Sequence, residues 1–253
     1  MTIPKTIFIT GASSGIGAAL AEYYAKPGNI LFLTGRNRER LKTISDQCIK
    51  RGADVHQLQL DVIDQWACYQ EIIKANQLSK LDLVIANAGI SGGTGKQDES
   101  DRQTREIMDI NLNGVLNTVL PSIEIMKSNG QGQIAIMSSL ASFKGLPSAP
   151  AYCASKAAVR TWGESLRGTL KKSNIKVSVI TPGFVKSGIT AVNKFPMPFL
   201  MEGAKAATII GKGLERNKAR ISFPKPMYLA VLFFSALPLY LSEFISNKLP
   251  NKQ

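Results

Sequence analysis

The stretch "FITGASSGIGAALAEYYA", Phe8 to Ala25, decides how the chain is read. It begins as the end of an apolar, β-rich run and passes through Gly11, Gly15 and Gly17 in the spacing G-x-x-x-G-x-G. It then opens into a helical pattern. A turn this tight wants residues without a Cβ, and it lets backbone N–H groups approach an anion at a helix N-terminus. The helix dipole adds to that attraction. Strand, glycines, hydroxyls and helix in this order predict a dinucleotide cradle formed by Gly11, Ser13, Ser14, Gly15, Ile16 and Gly17, rather than a plain glycine turn.

The pattern around this loop repeats along the chain. Short apolar runs at 6–10, 30–34, 55–60, 81–86, 133–137 and 176–181 alternate with helix-like segments near 15–26, 38–51, 64–78, 102–128 and 152–172. Such alternation reads as βαβ units on a parallel sheet, wound by right-handed crossovers into an α/β, doubly wound (Rossmann) fold with helices on both faces. No linker interrupts the first part of the chain. We therefore expect one catalytic domain over residues 1–224 and a hydrophobic C-terminal extension over 225–253.

At 253 residues, 44% hydrophobic and 19% charged, without repeats, the chain is long enough for a substantial core. Its net charge of +13 suits nucleic acid, an anionic membrane surface or anionic small molecules. No basic run is interleaved with aromatics and no zinc-finger pattern occurs, so a nucleic-acid partner is not expected. Cys48, Cys68 and Cys153 have no metal-ligand spacing and form no even framework, which fits free thiols in a reducing compartment. "KTIFIT" begins at Lys5 and leaves no room for a signal peptide, so the expected address is cytoplasmic. His56 is the only histidine, on a strand, and neither a metal site nor a histidine triad is expected.

The second strand ends "LFLTGRNRER", with no acid at its tip. An acid there would bind a ribose 2′-OH; Arg36, with Arg38 close by, instead suits a 2′-phosphate, and NADP(H) is favoured over NAD(H). The plainer alternative is a solvated start of the next helix. "LDV" ends the third strand, placing Asp61 and Val62 at the adenine side, and "IANAG" ends the fourth, bringing Asn87, Ala88 and Gly89 to the ligand crevice.

A different chemistry lies in "MSSLASFKGLPSAPAYCASKAAV", Met137 to Val159. On a helix, Tyr152 and Lys156 share a face. A neighbouring ammonium, together with a positively charged oxidised nicotinamide, lowers a phenol's pKa toward neutrality and makes it a general acid–base for a carbonyl/alcohol pair. Ser138 or Ser139, at a strand end in the same crevice, is placed to hydrogen-bond the carbonyl oxygen.

TGASSGIG, NAG, Ser…Tyr-x-x-x-Lys and "TPGFVKS" together resemble the classical short-chain dehydrogenase/reductase family, over residues 5 to about 222. The resemblance implies that Ser139, thirteen residues before Tyr152, is the catalytic serine. It implies that Tyr152 moves the proton, and that Lys156 binds the nicotinamide ribose and lowers the tyrosine pKa. Asn111, in "MDINLNGVL", resembles the asparagine that holds a water in the proton relay, with Asn113 as the alternative; otherwise Asn111 is a kinked-helix residue bonded to its own backbone. Pro182, Gly183 and Val185 resemble the segment beside the nicotinamide, and Ser187 stands where the family often has threonine. The family's dimers and tetramers imply a homo-oligomer built through the helices near 102–128 and 152–172.

The segment at about 186–202 falls where the family has its substrate lid. Phe195, Met197, Phe199, Leu200 and Met201 make it apolar, which favours a lipophilic ketone or aldehyde unless these side chains pack among themselves. From Pro226 to Ser242 no charge occurs. This tail reads as a helix on the body or at a subunit contact, as a peripheral membrane contact over residues 226–245, or as a span, which Pro238 interrupts. The function expected is an NADP(H)-dependent oxidoreductase; the competing reading is a non-catalytic dinucleotide-binding sensor or scaffold, at a membrane or free of one.

Overall fold

A computed structural model describes residues 4–92, 99–191 and 195–246; residues 93–98, Val192, Asn193 and Lys194 of the expected lid, and both chain ends lie outside that description. The first apolar run forms β1 (Thr6–Ile9), whose side chains alternate between two cores: Ile7 and Ile9 enter one, Phe8 the other. Burial on both faces is why the strands read as continuous apolar runs. β2 (Ile30–Gly35), β3 (Asp54–Gln59), β4 (Leu83–Ala86), β5 (Gly132–Met137), β6 (Ile175–Pro182) and β7 (Arg220–Phe223) complete an all-parallel sheet in the order β3-β2-β1-β4-β5-β6-β7. β7 was not foreseen: it is four residues long and starts with a charge. On β3, which edges the sheet, His56 stacks on Phe32 with ring centres 4.7 Å apart.

α1 (Gly15–Tyr24), α2 (Arg38–Lys50) and α8 (Gly203–Glu215) cover one face, burying Leu20, Leu41 and Ile210. α3 (Gln65–Leu78), α5 (Gly114–Asn129) and α6 (Pro150–Thr169) cover the other, burying Ile72, Val119 and Val159. Each such side chain contributes about 1.5–3 kcal/mol on leaving water. The helix expected over 102–128 is two helices, α4 (Asp101–Met108) and α5, joined by a π-turn at Asp109–Asn113 that carries Asn111 into the interior.

Chain order reverses between β1 and β4, and a ligand crevice opens outside the carboxyl ends of the strands at such a switch point. The glycine loop, Asn87–Gly89, Ser138–Ser139 and Pro182–Ser187 all follow strands at that edge. A short α7 (Gly188–Ala191) lies in the segment expected to form the lid. That segment is pinned where Lys186 N–H donates to the Met201 carbonyl at 2.9 Å and Met201 N–H to that of Phe184 at 3.0 Å. The tail divides at Pro238 into α9 (Lys225–Ala236) and α10 (Leu239–Ser246). Among the described residues no helix is long and apolar enough to cross a membrane.

Candidate active site

The glycine loop is held against the end of β4. Gly11 has φ +65°, and a Cβ there would come within 2.8 Å of Ala88 Cα; one on Gly17 would lie 2.2 Å from the Gly11 carbonyl oxygen. Thr10 Oγ1 accepts from the N–H groups of Asn87 at 3.0 Å and Ala88 at 3.1 Å, and Asn87 Nδ2 donates to the Thr10 carbonyl at 2.9 Å. Thr10 escaped the sequence reading, although the threonine before the first glycine was its visible signal. Ser14 caps α1 in extended conformation without a side-chain hydrogen bond, and the first turn holds no acid. The leading N–H groups of α1 are thus left for an anion, and the cradle fits a dinucleotide pyrophosphate.

Every expected site residue except Gly17 and Asn111 lines one cavity of about 790 Å³. Gly17 lies beneath the loop, and Asn111 is buried behind the wall. At the end of the cavity beside the tips of β2 and β3, Arg36 Nη1 stands 3.8 Å from Asp61 Oδ2 with its side chain 57% exposed. Arg38 does not line the cavity, whereas Arg40 does. The Asn37 side chain caps α2 by accepting from Arg40 N–H at 2.8 Å.

At the other end, Ser139 Oγ accepts from Ala141 N–H at 3.1 Å and shares a hydrogen bond with the Tyr152 phenol. Ser138 Oγ donates to the Lys156 carbonyl at 2.8 Å, so its hydroxyl is already occupied. Lys156 Nζ donates to the Met137 carbonyl at 3.1 Å and lies 6.0 Å from the centre of the Tyr152 ring. Burial pushes the Lys156 ammonium down to about 8. Burial also raises the Tyr152 pKa, against the hydrogen bond from Ser139, which lowers it. The phenol is therefore a weaker acid in this protein than free tyrosine, and activating it requires positive charge brought into the cavity.

Asn111 bonds across elements rather than to its own helix. Its amide pairs with both backbone groups of Ile90 and donates to Ser155 Oγ at 3.2 Å, while Ser155 donates to the Tyr152 carbonyl at 2.9 Å. Asn113 is exposed and donates to Asp109 at 3.0 Å.

Beyond Tyr152 the walls are apolar: Leu146, Phe184, Phe195, Met227, Val231 and Phe234. Of the lid residues expected there, Phe195 lines the cavity, Met201 is buried in the core, and Phe199 and Leu200 face outward. An unforeseen network anchors α9. Arg220 donates to Glu164 of α6 at 2.5 and 2.8 Å and to the Tyr228 hydroxyl at 3.2 Å, over the Phe143 ring.

The short chain dehydrogenase family model matches residues 5–195. An uncharacterized oxidoreductase of Myxococcus xanthus is 38% identical over 246 residues, 97% of each chain. Among solved structures, a short chain dehydrogenase/reductase from Burkholderia phymatum in complex with NAD aligns with TM-score 0.85 at 23% identity over 100% of both chains. A short-chain dehydrogenase from Sphingobium yanoikuyae in complex with NADPH aligns with TM-score 0.79 at 24% identity, covering 98% of this chain and 97% of that one. These two likenesses show the fold.

Proposed function

The chain belongs to the short chain dehydrogenase family of oxidoreductases, and on that premise we propose that it reduces a lipophilic ketone or aldehyde with NADP(H), using Tyr152 as general acid. The observation that carries this is the meeting of Ser139, Tyr152 and Lys156 in one cavity with the glycine loop. The bound cofactor supplies the hydride to the carbonyl carbon in reduction and receives it in oxidation. Ser139 Oγ holds the carbonyl oxygen, and Tyr152 gives that oxygen its proton as negative charge develops. The Lys156 ammonium stabilises the phenolate left behind, and Asn111 keeps the Ile90 loop and the start of α6 in register. Gly11 to Gly17 hold the pyrophosphate; Arg36 and Arg40 supply cations for a 2′-phosphate. Asp61 and Val62 would hold the adenine end of a bound cofactor, and Asn87–Gly89 and Pro182–Ser187 its nicotinamide end.

The apolar walls support a lipophilic substrate, because a sugar's hydroxyls would find few partners there. Assembly into a homo-oligomer through α5 and α6 belongs to the same reading, supported by Leu120 on α5, which is 48% exposed. A cytoplasmic address is supported by Cys48, Cys68 and Cys153, none of which is joined in a disulfide.

The test is turnover of lipophilic ketones and aldehydes with NADPH and NADH by the purified protein and by Tyr152→Phe. The variant is expected to lose about 10²–10⁴-fold in kcat while still binding cofactor. Absence of turnover with either cofactor, or full turnover by the variant, overturns the proposal.

A further inference from the structure

The two tail helices have opposite characters on their two sides. Inward, Met227, Val231 and Phe234 wall the cavity, and Gly183 is packed so closely that an added Cβ would come 2.9 Å from Met227 Sδ. Outward, Leu229, Phe233, Leu239, Tyr240 and Phe244 are 62–73% exposed. Soluble proteins rarely leave so many large apolar side chains together in water, and such a patch marks a docking surface. The lid, which walls the same cavity, adds Phe199 and Leu200 at 57% and 38% exposure.

We infer that the outer face of α9 and α10 docks onto an anionic phospholipid bilayer, with the mouth of the cavity turned to the lipid. Charge selects this occupant. Glu243 is the only acid from Pro226 onward, Lys225 precedes the uncharged stretch, and Lys248 and Lys252 follow it in sequence. An apolar stretch flanked in sequence by lysines, with a single acid, matches an anionic interface. The break at Pro238 fits helices lying along the interface. Helices whose outer faces rest in lipid and whose inner faces wall the cavity give an apolar substrate a route that avoids water; this last step rests on the reductase reading above, whereas the docking does not.

The experiment is co-sedimentation of the full chain with vesicles of phosphatidylcholine containing phosphatidylglycerol, and of phosphatidylcholine alone, beside the double variant Phe233→Ser/Phe244→Ser and its two single variants. Neither phenylalanine lines the cavity. Circular dichroism and the thermal midpoint report folding of each protein, and NADPH affinity, followed by cofactor fluorescence, reports its cavity. The wild type is expected to pellet with the anionic vesicles and to be released by salt. The double variant is expected to bind them about tenfold or more weakly at unchanged NADPH affinity, with the single variants between. Wild type that stays in the supernatant with both vesicle types overturns the inference, as does a folded double variant that pellets as the wild type does. A double variant that sediments as a smaller species, beside wild type that ignores vesicles, assigns the face to a second copy of the chain and also overturns it. Failure of the reductase reading shows as absent turnover with pelleting intact, so the two failures are distinguishable.

Discussion

Asn111 turns both edges of its amide to Ile90: Oδ1 accepts from the Ile90 N–H at 2.8 Å, and Nδ2 donates to the Ile90 carbonyl at 2.9 Å. The π-turn at Asp109–Asn113 makes this possible by carrying the side chain out of line with its helix and toward the loop after β4. Asn111→Leu fills the same space but strands the two Ile90 groups and Ser155. Leaving buried groups unpaired costs about 1–3 kcal/mol each, so a loss of about 3 kcal/mol is expected. Urea unfolding should show a lower midpoint at unchanged slope, and a midpoint within error of wild type refutes the role.

Cofactor choice is expected to rest on Arg36. Its guanidinium sits loosely against Asp61 at 3.8 Å and is largely exposed, so the pair contributes little to the fold and can reorganise around a phosphate. Arg36→Ala should raise the Kd for NADPH about tenfold or more and leave NADH nearly unchanged, as loss of a charge-assisted phosphate contact demands. Adding Arg40→Ala should weaken NADPH further. Fluorescence titration decides, and equal effects on both cofactors would reduce Arg36 to a surface charge.

Glu99 is placed to hold the start of the helix that carries Tyr152. Its Oε2 accepts from Ala151 N–H at 2.9 Å and from Thr104 Oγ1 at 3.4 Å. A carboxylate at a helix N-terminus satisfies an otherwise orphaned donor and faces the positive end of the dipole. Glu99→Ala is expected to destabilise by about 1 kcal/mol, in the range of lost N-caps. Because Ala151 adjoins Tyr152, kcat should fall while cofactor affinity holds. Glu99→Gln, which keeps an acceptor oxygen, should recover most of both. Failure of Gln to do better than Ala removes the capping account.

Where the sequence was legible, periodicity or motif order was strong. Five strands and the glycine loop could be read because burial on both faces writes a continuous apolar run and a close backbone approach demands glycine; β3, at the sheet edge with none of its residues fully buried, carries only a partial run of that kind. β7 is no shorter than β1 or β4, but Arg220 at its head and Ser222 within it break the apolar run. The π-turn left no mark, because one extra residue in a helical pattern looks like ordinary drift, and only the partners of Asn111 reveal it. Adjacent Ser138 and Ser139 are chemically identical in sequence; they differ in space because strand alternation sends the first hydroxyl to Lys156 and the second to Tyr152. Arg38 was named beside Arg36 and Arg40 was not, yet it is Arg40 that lines the cavity. The Arg220–Glu164–Tyr228 network joins residues far apart in the chain, which no local pattern encodes.

Lys156 offers a test through pH. Burial pulls its pKa from 10.5 down to about 8, so the folded protein without cofactor holds a charge it would rather release. Below pH 8 the lysine is protonated in both folded and unfolded chains, and the full cost of burying that charge is present. Between pH 8 and 10.5 the unfolded chain binds more protons than the folded one, so stability gains with rising pH. A shift of this size corresponds to about 3 kcal/mol. Lys156→Met should therefore be the more stable protein at pH 7, by up to about 3 kcal/mol less the lost bond to Met137. The gap should close as pH rises toward 10.5. Cys48 and Cys68, which burial pushes up to about 11 and about 12, bend both curves downward in the same range, and the comparison cancels them. Thermal midpoints of the two proteins measured side by side across this range decide the matter. A gap that ignores pH, or a variant already weaker at neutral pH, shows that Lys156 is not held as a strained charge awaiting its ligand.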